Sequence, residues 1–213
     1  MKYAGMTAVL HRDNMEVPLQ VPIIVATCGT YLREKGSHAE GIFRVSGSSV
    51  RIRELQDKFD LPNNYGQDLD WTPYTVYDAA DVLRRYLGQL PEPVVPLSFY
   101  EAFLEPIWRY QQEASDGTAF RDKETVAAYR KLVSDLPPEN HHLLIYLLDL
   151  LAFFSSNSGD TRLRSGSLAT IFQPELLSPA LEHMSLADHK LCQAVLEYLI
   201  EMGDTFALNE TTE

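Results

Sequence analysis

The chain has 213 residues, of which 45% are hydrophobic and 23% charged, a length and composition that suit one soluble domain with a full core and no need of covalent staples. Its 30 acidic residues outnumber its 18 lysines and arginines, and the formal charge of −12 argues against nucleic acid and against anionic membrane surfaces as partners. Two cysteines (Cys28, Cys192) are too few for a disulfide framework, and the longest nearly apolar stretch, the twelve residues from Leu143 to Phe154, falls short of the ~20 of a membrane span.

Met1 to Leu10 lacks the basic start and long apolar run of a signal peptide, so a reducing, cytoplasmic setting is expected. The first ~15 residues read as poorly tied down. After Pro22, Ile24, Cys28, Tyr31 and Leu32 recur at helical spacing, and Gly36 is placed to end that helix. A loop spans Ser37 to Gly47. Ser48 or Ser49 then caps a helix carrying Ile52, Leu55 and Phe59. Leu61 to Pro73 is rich in Pro, Asn and Gly and reads as a connection. Thr75 is the expected N-cap of a helix with the stripe Val76, Ala79/Ala80, Leu83, Leu87 and Leu90. Its other face carries Asp81, Arg84, Arg85 and Gly88, and Pro91 and Pro93 end it. Leu97 to Tyr110 reads as a helix interrupted by Pro106, Gln111 to Gly117 as a flexible loop, and Lys123 to Asp135 as a helix. An apolar helix is expected from Pro138 to Phe154, a turn over Ser155 to Gly159, a short helix from Leu168 to Phe172 meeting Pro174, and a long one from Leu186 to Met202. No stretch alternates convincingly with period two, so the expected class is all-α, a bundle of about eight or nine helices.

The motifs of common catalytic sites are missing: there is no phosphate-binding G-x-x-x-x-G-K-[ST], no G-x-S-x-G and no H-E-x-x-H. Adjacent His141 and His142 point in different directions on a helix and read as a solvated helix start, so no metal site is expected. Asn209-Glu210-Thr211 fits a glycosylation acceptor that the expected compartment would leave unused. Both cysteines lie on apolar helical faces and read as inert core residues. One loop stands out, Glu40-Gly41-Ile42-Phe43-Arg44-Val45-Ser46-Gly47-Ser48. Ile42, Phe43 and Val45 can anchor it to the core, which leaves Arg44 as a long cation on a supported loop. A guanidinium offers five donors in a fork that suits phosphate oxygens. The alternative is a surface arginine that caps carbonyls or pairs with Glu40.

Four motifs in order carry a family resemblance: Gly41-Ile42-Phe43-Arg44, Leu83-Arg84-Arg85-Tyr86-Leu87, Leu90-Pro91-Glu92-Pro93, and Leu168-Ala169-Thr170-Ile171-Phe172-Gln173-Pro174-Glu175-Leu176-Leu177. The chain resembles RhoGAP domains, the GTPase-activating modules for Rho-family small GTPases, from Val17 to Leu208. Residues 1–16 would then be an N-terminal extension and 209–213 a tail. Asp70-Trp71-Thr72, the run Asp78 to Val95, and Phe172-Gln173-Pro174 look most like a fungal subgroup.

The resemblance implies an enzyme activator with no active site or cofactor of its own, since GTP and Mg²⁺ belong to the partner. That partner is a GTP-bound Rho-type GTPase, and the module is expected to act as a monomer. Arg44 stands at the position of the arginine finger. Gly41, Phe43, Ser46, Arg84, Gly88, Gln173 and Glu175 are implied GTPase-facing positions. Arg84 replaces a basic residue that is usually Lys, although it could instead pair with Asp81 on its own helix, as could Arg85. Gly88 stands where many members have a second Arg, and Glu175 where the family often has Asn. An ionised Glu has no donor. It could pair with Arg44 or Arg84, or leave a module that binds a GTPase but activates it weakly. The acidic body carries a basic island: Arg44, Arg51, Arg53 and Lys58 against Glu54 and Asp57.

Overall fold

A computed structural model of the chain describes residues 5–12, 15–62, 64–113, 123–179 and 184–206. Nine α-helices follow a β-hairpin among these residues, so the body is all-α as expected. The hairpin pairs β1 (Gly5–Arg12) with β2 (Met15–Pro22) antiparallel, in register from Gly5↔Pro22 to Arg12↔Met15. This corrects the expectation of a loosely held start without strands. In β2, Leu19 and Val21 are buried while Pro18 and Gln20 are exposed, which is period-two alternation. Pro18 and Pro22 lack the N–H of a ladder residue and argue against a strand when only the sequence is read.

The chain divides into two compact units, Met1–Leu90 with Phe153–Arg164, and Pro91–Ala152 with Ser165–Glu213. In the first unit lie α1 (Ile23–Gly36), α2 (Ser49–Asp60), α3 (Val76–Gly88) and the single turn α7 (Ser158–Thr161). Helix α1 buries Ile24, Cys28 and Leu32 at the expected spacing and ends at Gly36. Burial pushes the Cys28 thiol pKa up, as befits an inert core residue. Tyr31 is only half-buried: its ring stacks on Trp71, 4.1 Å between centroids, and its hydroxyl donates to the Tyr74 carbonyl (3.1 Å). Helix α2 buries Ile52, Leu55 and Phe59. Helix α3 opens on the expected Thr75 cap, closed into a capping box by Asp78. Its buried face also takes in Asp78, Val82 and Tyr86, while Leu90 is half-buried.

The second unit contains a 3₁₀ turn (Leu97–Phe99), α4 (Tyr100–Glu113), α5 (Lys123–Ser134), most of α6 (Pro138–Ser156), α8 (Ser165–Leu176), α9 (Leu186–Glu201) and a last 3₁₀ turn (Gly203–Thr205). Two prolines expected to break helices do not. Pro106 lies inside α4 and Pro174 inside α8. A helical proline lacks the N–H for the carbonyl four residues back, so its helix survives where packing outweighs the loss. In the Pro106 turn, the buried Tyr129 hydroxyl donates to the Phe103 carbonyl (2.8 Å), and the Tyr129 ring packs on Phe103 and Tyr198. Helix α4 runs through Glu113, so the expected loop from Gln111 is helical at its start, and residues 114–122 lie outside the described ones. Of the expected turn Ser155 to Gly159, Ser155 and Ser156 close α6 while Ser158 and Gly159 open α7. Asn209 and the 209–213 tail also lie outside the described residues. The connection after α3 is pinned: Val94 and Val95 N–H groups donate to the Glu175 (3.1 Å) and Leu176 (2.9 Å) carbonyls. Those bonds satisfy two of the carbonyls that α8 leaves open at its end.

Removal of the Tyr129 hydroxyl tests this arrangement. Tyr129→Phe should lower unfolding stability by about 1–2 kcal/mol in a urea titration, because a buried hydrogen bond to the Pro106 turn is lost with little change in packing.

Candidate functional site

The loop singled out by sequence starts where α1 stops. Ala39 N–H donates to the Gly36 carbonyl (3.0 Å) and Ile42 N–H to that of Ala39 (3.2 Å). Its near end is held by α7: Gly41 N–H donates to the Thr161 carbonyl (3.0 Å). Two surface pairs flank that bond, Glu40 with Arg162 (3.0 Å) and His38 with Asp160 (2.5 Å). Glu40, the carboxylate that sequence offered to Arg44, is therefore engaged by Arg162.

From Gly41 the backbone turns sharply. Its carbonyl accepts from both Arg44 N–H (2.9 Å) and Val45 N–H (2.8 Å). Gly41 has φ +71°, and a Cβ there would stand 3.0 Å from Val45 Cγ2. Phe43 also has a positive φ, 65°, which costs a residue with a side chain about 1–2 kcal/mol. The ring is 2% exposed and meets Phe154 edge-on at 5.1 Å. Burying a phenyl group contributes roughly 1.5–3 kcal/mol and the aromatic pair about 0.5–1.5 more, so anchoring outweighs strain. Ile42 is buried as expected. Val45 is not: at 48% exposed it stands outside the core beside Arg44.

The far end of the loop is held by α3. Gly47 N–H donates to Asp81 Oδ2 (2.9 Å) and Ser48 N–H to Asp78 Oδ1 (2.7 Å). Ser48 is the N-cap of α2, but its side chain makes no capping bond. Asp78 has no solvent-exposed surface. Its carboxylate also accepts from Arg51 Nε (2.7 Å) and Nη2 (3.3 Å), from Thr75 N–H (2.7 Å) and from the Thr75 hydroxyl (2.8 Å). Burial on its own would raise the Asp78 pKa. The Arg51 guanidinium, the Thr75 and Ser48 N–H groups and the Thr75 hydroxyl outweigh it and hold the carboxyl below the usual carboxylate range. Sequence reasoning missed Asp78 as a site residue. The available signal was the spacing Thr75-x-x-Asp78, a capping box, but its loop and α2 partners lie 30 and 27 residues away. Asp81, which sequence offered to Arg84 or Arg85, instead receives the loop.

Between these two supports Arg44 is exposed, with its guanidinium passing over Gly41. Ser46 is exposed two residues on. Arg84 is half-buried on α3, and Gly88 is exposed at the end of that helix. The first unit thus gathers Gly41, Phe43, Arg44, Ser46, Arg84 and Gly88. Gln173 and Glu175 belong to α8 in the second unit. Gln173 is buried there: its Nε2 donates to the Leu177 carbonyl (2.8 Å) and its Oε1 is 3.2 Å from His189 Nδ1. Glu175 is half-buried. Among the described residues, no group of three or more His, Cys, Asp or Glu could hold a metal ion, and no helix is long and apolar enough to cross a membrane.

A family model, the RhoGAP domain, matches residues 22–180. The chain is 40% identical to Rho-GTPase-activating protein 5 of Schizosaccharomyces pombe over 87% of its length and 49% of that protein's. It is 33% identical to Rho-GTPase-activating protein BAG7 of Saccharomyces cerevisiae over 94% of its length and 48% of that protein's. It spans about half the length of these relatives. Two solved structures share the fold. They are the BH domain from GRAF, the GTPase regulator associated with focal adhesion kinase (TM-score 0.71, 23% identity, 86% of this chain and 92% of that one), and human Rho GTPase activating protein 15 (TM-score 0.72, 26% identity, 87% and 84%).

The Asp78 pairings predict an acid-sensitive fold. Because the folded carboxyl titrates below an unfolded aspartate, its bonds stabilise the protein above about pH 4. That stability drains away as the pH falls through the folded value. Thermal melts from pH 7 to 3 should show the wild type losing stability on acidification, with a shallower loss in Asp78→Asn; parallel slopes would contradict this.

Proposed function

The chain belongs to the RhoGAP domain family, and on that premise we propose that it accelerates GTP hydrolysis by a GTP-bound Rho-type small GTPase, with Arg44 inserted in trans as the catalytic residue. The single observation that carries this reading is Arg44 itself, an exposed guanidinium on a loop hydrogen-bonded at both ends and plugged into the core by Phe43. Small GTPases hydrolyse GTP slowly while charge building on the transferred phosphoryl group goes unneutralised. A guanidinium presented there donates to the phosphoryl oxygens as that charge develops. Such a finger contributes about 10³–10⁵ in rate, roughly 4–7 kcal/mol of barrier. The nucleotide, Mg²⁺ and water-orienting glutamine come from the partner, which fits a chain without phosphate-binding motifs of its own.

The loop geometry lowers the cost of this insertion. An arginine on a slack loop would lose backbone freedom on docking, whereas here the loop backbone is ordered before the partner arrives. Exposed Val45 and Ser46 flank the finger and Arg84 and Gly88 extend the contact surface along α3. Gly41 and Phe43 serve by shaping the loop. Gln173 serves by holding the end of α8, beside Glu175. Gly88 supplies no second arginine, which favours a modest charged contact over a strong one.

Single-turnover hydrolysis by a panel of Rho-type GTPases tests the proposal. At saturating protein, Arg44→Ala should lower the stimulated rate by about 10³–10⁵-fold while affinity for the GTP-bound partner largely survives. Arg44→Lys should recover little, since it restores the charge without the fork. Binding without acceleration by the wild type would identify a recognition module, and failure to accelerate any member would overturn the proposal.

A further inference from the structure

The carboxylate of Asp78 does more than cap a helix. A capping box needs one acceptor for the Thr75 N–H. Asp78 meets that need with Oδ2 (2.7 Å) and also accepts from Ser48 N–H on the loop and from Arg51 on α2. Three segments therefore converge on one fully buried side chain. Gly47 packs so tightly on it that a Cβ would stand 2.3 Å from Oδ1 and 2.8 Å from the Asp78 backbone, and Gly47 N–H is held one helical turn further on by Asp81 (2.9 Å). Only Val45 and Ser46 separate this clamp from Arg44, and the N–H groups of Arg44 and Val45 are already bonded to Gly41. A shift at Gly47 and Ser48 thus has few places to be absorbed before it reaches the finger.

We propose that Asp78 is the positioning residue for Arg44, fixing the far end of the finger loop so that the guanidinium meets the developing charge without a search. The inference rests on the finger reading above. Misplacing a reacting group by 1 Å can cost on the order of 10²-fold in rate. An asparagine has the shape of aspartate but one acceptor oxygen in place of two, so it cannot satisfy Ser48, Arg51 and Thr75 together. The second link, Asp81 to Gly47, keeps the loop near its place, so the loss falls on geometry at the phosphate rather than on docking.

The experiment measures stimulated single-turnover rate against protein concentration, separating the maximum rate from the half-saturating concentration. Asp78→Asn should cut the maximum rate on the order of 10²-fold with far less change in half-saturation. A fold merely weakened would shift half-saturation and spare the maximum. In the Arg44→Ala background, Asp78→Asn should lower the residual rate no further, because it acts through an arginine that is no longer there. If Asp78→Asn does not fold, Gly47→Ala carries the same comparison by driving its Cβ against Oδ1 without altering a buried charge. An unchanged maximum rate in the folded variants overturns the proposal, and so does a loss confined to half-saturation. Those results leave the finger standing as long as Arg44→Ala alone abolishes stimulation. If Arg44→Ala keeps the wild-type rate, the finger reading fails and takes this inference with it.

Discussion

A carboxylate cut off from water must be satisfied by protein donors, and Asp78 is satisfied by the segments it joins. Ionised and unpaired in that position, it would cost several kcal/mol. With Ser48, Arg51 and Thr75 around it, the same group ties the start of α2 and the loop before it to the first turn of α3. Asp81 holds Gly47 by a separate bond, so the loop is tied to α3 at two neighbouring points.

The loop itself balances strain against burial. Gly41 and Phe43 both take left-handed backbone, at no steric cost for the glycine and at a real cost for the phenylalanine. The Phe43 ring against Phe154 recovers that cost. What remains outside is Arg44, Val45 and Ser46. The formal charge of −12 takes on meaning here. Arg44 and Arg53 stand exposed within an acidic chain while Arg51, nearby in sequence, is turned inward to Asp78. A basic excess over the whole surface would attract anions indiscriminately; a small island in an acidic body restricts attraction to a partner that also fits.

Much of this was legible in the sequence because it is local. Helical spacing places α1, α2, α3, α6 and α9 with their apolar faces, and glycines bracketing Gly41 to Gly47 mark the loop. Arg44 stands out as a long cation on that loop, and its reading as a finger comes from the family motif Gly41-Ile42-Phe43-Arg44 and not from spacing alone. The misses share a cause. Asp78 looks like an ordinary first-turn acid, since its importance comes from partners far along the chain. Pro106 and Pro174 look like helix breakers, because helix propensity counts a missing bond and not the packing that compensates for it. Val45 looks like an anchor by composition, yet the turn at Gly41 points it outward. The Gln173 amide bonds the Leu177 carbonyl, a partner that the motif does not reveal.

The central claim is that Arg44 acts on the transition state and not simply on the bound partner. Complementarity of that kind appears as tighter binding of a transition-state mimic than of the ground state. The direct measurement is affinity for a Rho-type GTPase loaded with GDP, with and without aluminium fluoride, which completes a planar mimic of the transferred phosphoryl group. The wild type should bind much more tightly with fluoride, by at least about 10²-fold, and Arg44→Ala should lose that increment while binding the GTP-bound form nearly as well as before. An increment that survives in Arg44→Ala would contradict the account.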